Sequence, residues 1–72
     1  MKPLNKEQVD TIVKKYENKP GFRSLPVYNF LLSAHHCGNV MNAYANLEMD
    51  ARLYKWKASI VSAIRAGIKL SY

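Results

Sequence analysis

Between Ser24 and Leu47 the chain has no Asp, Glu, Lys or Arg, a gap covering about a third of its 72 residues. Other things are scarce too. There is one cysteine, Cys37, so no disulfide can close within the chain; that favours a reducing compartment or indifference to redox state. The opening MKPLNKEQVD lacks the apolar core of a secretory signal. No apolar run approaches the roughly 18 residues of a membrane-spanning helix. The charge-free stretch fails that test as well, interrupted by Pro26, Asn29, His35, His36, Asn39, Asn42 and Asn46. These absences lead to the expectation of a cytoplasmic protein with no membrane partner.

Catalytic signatures are also missing. No phosphate-cradling loop or dinucleotide fingerprint occurs. His35, His36 and Cys37 are the only His and Cys residues, one ligand short of a closed four-ligand zinc site, and adjacent residues face different sides of a helix. Nothing orients Cys37 and a histidine as a nucleophile–base pair. Glu48 and Asp50, two apart, point away from each other on a helix. The expectation is a protein that is not an enzyme and holds no metal or cofactor.

What the chain has is positive charge. Eleven Lys and Arg against five Asp and Glu give a net charge of +6, all of it in the two flanks of the charge-free stretch. Such a balance suits an anionic partner: nucleic acid, or an acidic protein surface. Hydrophobic residues make up 49%, too many for a disordered chain and enough for one small domain over residues 1–72.

The periodicity is helical. Asn5 and Gln8 form a capping-box pattern, Leu4 and Val9 a hydrophobic staple, and Val9, Ile12, Val13 and Tyr16 one apolar stripe. The first helix is expected over 6–18, stopped by Pro20-Gly21. Ser24 can cap a second helix, 25–36, apolar on almost every face and so read as buried, with Gly38 ending it. Asn39 can cap a third. Neither proline nor an early glycine interrupts residues 40–70, and Val40, Tyr44, Leu47, Ala51, Tyr54, Ala58, Val61, Arg65 and Ile68 trace a heptad-like seam. A second stripe runs Leu53, Trp56, Ile60, Ala63, Gly67, Leu70. The expected fold is all-α: a three-helix unit, two short helices packed on one long C-terminal helix. That long helix would span about 46 Å, against a domain diameter near 30 Å, so either apolar surface stays open or the helix breaks.

Residues 34–47 resemble a helix-turn-helix in placing Ala34 four before Gly38 and Leu47 nine after it. However, Asn39 and Tyr44 replace the usual aliphatic residues. The would-be recognition helix NVMNAYANLEMD has no Lys or Arg and ends in acids, which suits a DNA groove poorly.

The leading expectation is a small basic protein that docks on a larger host protein or complex, acidic or nucleic-acid-handling, and inhibits or modulates it, in the manner of phage-type or anti-defence inhibitors. Its contacts are expected from Tyr28, His35, His36, Asn42, Tyr44, Asn46, Arg52, Lys55, Trp56 and Lys57. Direct nucleic-acid binding is the first alternative, through Lys14, Lys15, Arg23, Arg52, Lys55, Lys57, Arg65 and Lys69. The second is a homo-oligomer, with a dimer formed along the long helix through the small residues Ala58, Ser62, Ala66 and Ser59, Ala63, Gly67.

Overall fold

The first helix starts where its capping sequence puts it. Asn5 Oδ1 accepts the Gln8 amide at 2.9 Å, and the Asn5 amide donates to Gln8 Oε1 at 3.0 Å, so two otherwise orphaned N–H groups are satisfied. Leu4 and Val9, the staple pair, are both buried. The computed structural model describes residues 2–71. Among them are four α-helices and no strand: α1 (Lys6–Tyr16), α2 (Ser24–Ser33), α3 (Val40–Leu53) and α4 (Ala58–Ser71), with a 3-10 turn at Ala34–Cys37 between α2 and α3. No helix among these residues is long and apolar enough to cross a membrane.

α1 ends two residues before the expected Asn18. The Lys19 amide reaches back to the Tyr16 carbonyl at 2.9 Å and turns the chain toward α2. α2 includes Ser24; the residue before it, Arg23, is extended and makes no side-chain cap bond. Pro26 sits in the first turn, where its missing N–H costs nothing. α2 also ends early. Ser33 Oγ bonds back to the carbonyls of Asn29 and Phe30, at 2.7 and 3.3 Å, and the chain tightens into the 3-10 turn. Gly38 then takes φ 84°, and Asn39 caps α3 by accepting the Asn42 amide at 2.9 Å.

The single long helix over 40–70 is not formed; four helices replace the expected three. α3 stops at Leu53. The Trp56 amide bonds the Ala51 carbonyl at 3.0 Å, the six-to-one bond of a Schellman ending, with Lys55 in the left-handed region at φ 54°. The reason is room. The domain measures 31 × 27 × 15 Å, too short for an unbroken helix of that span. The sequence signals that usually mark such an ending are absent, because lysine stands where glycine is usual.

The break resets the helical phase, so the heptad seam does not continue. In α4 the buried residues are Ser59, Ile60, Ala63, Ile64, Gly67, Ile68 and Ser71, whereas Ala58 and Arg65 of the expected seam are exposed. Tyr54, read as seam core, is 58% exposed. α4 becomes the central element, packed on α1, α2 and α3, and α1 also packs on α2. Ile60, Ile64 and Ile68 are fully buried beside Val9, Val27, Leu31 and Leu47. Each such side chain contributes about 1.5–3 kcal/mol by leaving water.

The small residues of α4 are used within the chain. Ser59 Oγ donates to the Pro20 carbonyl at 3.0 Å, tying α4 to the turn after α1. Gly67 lies directly under Leu31, so that a Cβ there would overlap the leucine methyls. A dimer along one long helix therefore has neither that helix nor its Ser59–Ala63–Gly67 face available.

Two predictions follow from this packing. In an open helix Gly→Ala stabilises by up to about 1 kcal/mol. At Gly67 the sign inverts: Gly67→Ala is expected to lower unfolding free energy by about 1–3 kcal/mol, because the added carbon overpacks Leu31. Lys55→Gly removes the left-handed penalty and is expected to raise it by about 1 kcal/mol. Urea denaturation of both variants checks the two signs.

Candidate partner-binding groove

α2 and α3 diverge from the 3-10 turn. Each packs more extensively on α4 than on the other. Between them lies a groove of about 910 Å³. It is lined from α2 by Leu25, Pro26, Asn29, Phe30 and Ser33, from the 3-10 turn by Ala34, His36 and Cys37, and from α3 and the residue after it by Asn46, Asp50 and Tyr54. Trp56 and Arg23 complete the lining.

The aromatic part is ordered by the reversal after α3. Trp56, half-buried, meets Phe30 edge-to-face at 6.4 Å between ring centres, and Tyr54 stacks beside it at 5.7 Å. Such ring pairs add about 0.5–1.5 kcal/mol beyond burial of area. The residues that place Tyr54 and Trp56 in the groove are therefore those of the left-handed turn at Lys55.

At the 3-10 turn, polar groups are held by the chain itself. Asn42 Nδ2 donates to the Cys37 carbonyl at 3.1 Å, and Asn46 Nδ2 lies 3.1 Å from Cys37 Sγ. The His35 and His36 rings lie 4.1 Å apart, centre to centre. His36 is exposed on the groove, whereas His35 is half-buried and its buried Nδ1 has no hydrogen-bond partner. Among the described residues no three His, Cys, Asp or Glu side chains converge to hold a metal ion.

The groove gathers only some of the residues expected to bind a partner. His36, Asn46 and Trp56 line it. Asn42 lies outside the lining and braces the 3-10 turn through the Cys37 carbonyl. Tyr44 is half-buried against the core, and His35 is half-buried within the 3-10 turn. Arg52 and Lys55 are exposed outside the lining, and Lys57 lies over Gly21 in the turn after α1. The residues expected to bind nucleic acid do not share an element either. Lys14 and Lys15 are exposed on α1, Arg65 and Lys69 on α4, and Arg23 alone faces the groove.

Tyr28 belongs to a different contact. It stands on the side of α2 that faces α1, where its hydroxyl donates to Asp10 Oδ1. Lys6 Nζ is 3.7 Å from the other carboxylate oxygen.

Leu25, Asn29, Phe30 and Asp50 were not among the expected site residues. The signal for the first three was present. A helix apolar on all faces cannot bury every face in so small a domain, so α2 leaves Leu25 68% exposed. Asp50 had no such signal, because its position depends on the angle between α2 and α3.

Comparison with protein-family models, curated proteins and solved structures finds no match.

The Tyr28–Asp10 contact has a pH signature. The hydrogen bond to Asp10 holds the Tyr28 phenol above its ordinary value, with burial and the negative charges of Asp10 and Glu17 acting in the same direction. The folded value is thus above the unfolded value of about 10. The stabilisation is complete below that pH and is lost as pH rises through the raised value. Wild type is expected to lose stability more steeply than Tyr28→Phe above about pH 10, as read by denaturation midpoints along an alkaline series. Parallel curves would show that the bond is not made in solution.

Proposed function

We propose that this protein acts by binding, without catalysis: it docks on a larger acidic or nucleic-acid-handling protein and modulates or inhibits it. The observation that supports this reading is the division of its surface. The groove between α2 and α3 is lined by aromatic and uncharged side chains, with one cation, Arg23, and one anion, Asp50. The net charge of +6 resides on side chains outside it, among them Lys14 and Lys15 on α1, Lys55 and Lys57 in the reversal, and Arg65 and Lys69 on α4.

The two parts suit different tasks. A basic surround raises the rate of encounter with an acidic partner and is sensitive to salt. A neutral groove with Trp, Tyr and Phe gains affinity from desolvated aromatic contacts, the kind that dominate binding energy at protein interfaces. The groove therefore reads as a docking surface for an uncharged, apolar protein face, and the basic surface as the part that finds an acidic partner.

A photo-crosslinking residue placed at Asn29, on the groove wall, or at Lys14, on α1, tests both assignments. Protein adducts are expected from both positions in the native host, with those from Lys14 decreasing as salt rises. Adducts to nucleic acid from Lys14, together with a shift of random duplex at about 50 mM salt that vanishes by about 200 mM, would favour direct nucleic-acid binding instead. Absence of protein adducts at Asn29 would remove the groove as a docking surface.

A further inference from the structure

A second crevice, of about 560 Å³, lies where the end of α1, the turn after it and the start of α4 meet. Its lining includes Tyr16, Lys19, Pro20, Lys57, Ser59 and Ser62, and no carboxylate. It shares no residue with the α2–α3 groove. Contacts within the chain fix its walls. The Lys19 amide bonds the Tyr16 carbonyl at 2.9 Å, and Ser59 Oγ donates to the Pro20 carbonyl at 3.0 Å. The stem of Lys57 rests against Gly21, where an added Cβ would lie 2.5 Å from Lys57 Cγ.

The lining cations are not neutralised from within. Among the described residues the ion pair joins Lys6 to Asp10, and neither Lys19 nor Lys57 has a carboxylate partner. Lys15 adds a third positive charge nearby, its Nζ 5.9 Å from the centre of the Tyr16 ring. Glu17, the nearest acid along the chain, is outside the lining, and its charge is felt at Tyr28 on α2. Tyr16 and Ser62 bring hydroxyl groups, which can donate to an anionic oxygen. Two unpaired ammonium groups with hydroxyl donors suit an oxyanion. They match one dianion, and a phosphate group carries a charge of about −1.5 to −2 at pH 7. A carboxylate would neutralise only one of them. A nucleic-acid strand spreads single charges along its length and needs a run of cations, whereas Lys14, Arg23, Arg65 and Lys69 all lie outside the crevice.

We propose that this crevice binds one phosphate dianion, free or at the end of a small ester, with Lys19 and Lys57 supplying the countercharge and the Tyr16 and Ser62 hydroxyls donating to its oxygens. The volume falls in the range of small-molecule sites, about 300–1,000 Å³. Lys19, Lys57 and Ser62 are exposed, so an organic substituent can extend into solvent. The site is separate from the groove, and binding there holds whether or not the groove takes a partner.

Amide NMR titration of the whole chain with inorganic phosphate and with phenyl phosphate, at constant ionic strength, tests it. Saturable shifts are expected at Lys19 and over residues 57–62, and none at Lys69. Lys19→Gln and Lys57→Gln are each expected to weaken binding about tenfold. Lys69→Gln removes the same charge elsewhere and is expected to change it by less than about twofold. Glutamine keeps the three carbons of Lys57 that lie against Gly21, and circular dichroism establishes that each variant is folded. Dimethyl phosphate, a monoanion, is expected to bind about tenfold more weakly than phenyl phosphate. Equal binding of both dianions supports an ester as ligand, and binding of inorganic phosphate alone supports the free ion. The proposal is overturned by shifts that grow linearly and spread over every basic residue, or by a Lys69→Gln loss equal to that of Lys57→Gln. It is overturned equally by a random duplex that shifts these amides when neither dianion does.

Discussion

The reversal at Tyr54–Lys57 is the constraint on which the rest of the molecule depends. Residues 40–70 carry apolar groups on two stripes, and a straight helix of that length would expose one of them along its whole run. By ending α3 with Lys55 in a left-handed conformation, the chain folds α4 back beneath the other helices. The strain of one left-handed residue, of order 1–2 kcal/mol, is offset many times over by burial of Ile60, Ile64 and Ile68. α4 then serves as a common floor for α1, α2 and α3.

The groove is a by-product of the same arrangement. Because α2 and α3 rest on α4 and diverge from the 3-10 turn, no side-chain layer fills the space between them. The close approach of Gly67 to Leu31 seats α2 deeply on α4 at one side, while Trp56 and Phe30 meet edge-to-face on the groove side. Across α2, the Tyr28–Asp10 bond fastens the opposite flank to α1. α2 is thus held from below and from one side, and its third side is the wall of the groove. The charge-free third of the chain consequently splits between core and surface: Val27, Phe30, Leu31, Ala43 and Leu47 are buried, and Leu25, Asn29, His36 and Asn46 are exposed.

How much of this was legible depends on the range of the interaction. The capping box at Asn5 and Gln8, the staple of Leu4 and Val9, and the cap at Asn39 act within a few residues, and each forms as its sequence implies. The helix break was legible only as a length that does not fit, since Lys55 gives no glycine signal. Of the expected binding residues, His36, Asn46 and Trp56 meet in the groove, because they flank the turn and the reversal that shape it. Tyr28 does not, because the partner of its hydroxyl, Asp10, lies eighteen residues away on another helix. Helical spacing alone cannot tell which neighbour a partly exposed aromatic residue will face.

The sequence by itself determined that the chain is helical, where three of its helices begin, that its charge is positive and flanking, and that one long stretch is free of charge. These are local or compositional properties, set by capping hydrogen bonds, apolar period and residue count. Only the tertiary structure decided that the longest helix breaks, which stripe of α4 becomes core, and that α2 and α3 stand apart with a neutral groove between them. Those outcomes follow from competition for a limited interior. A chain of 72 residues cannot bury every apolar face it carries, and the choice among faces is made by the packing of all four helices at once.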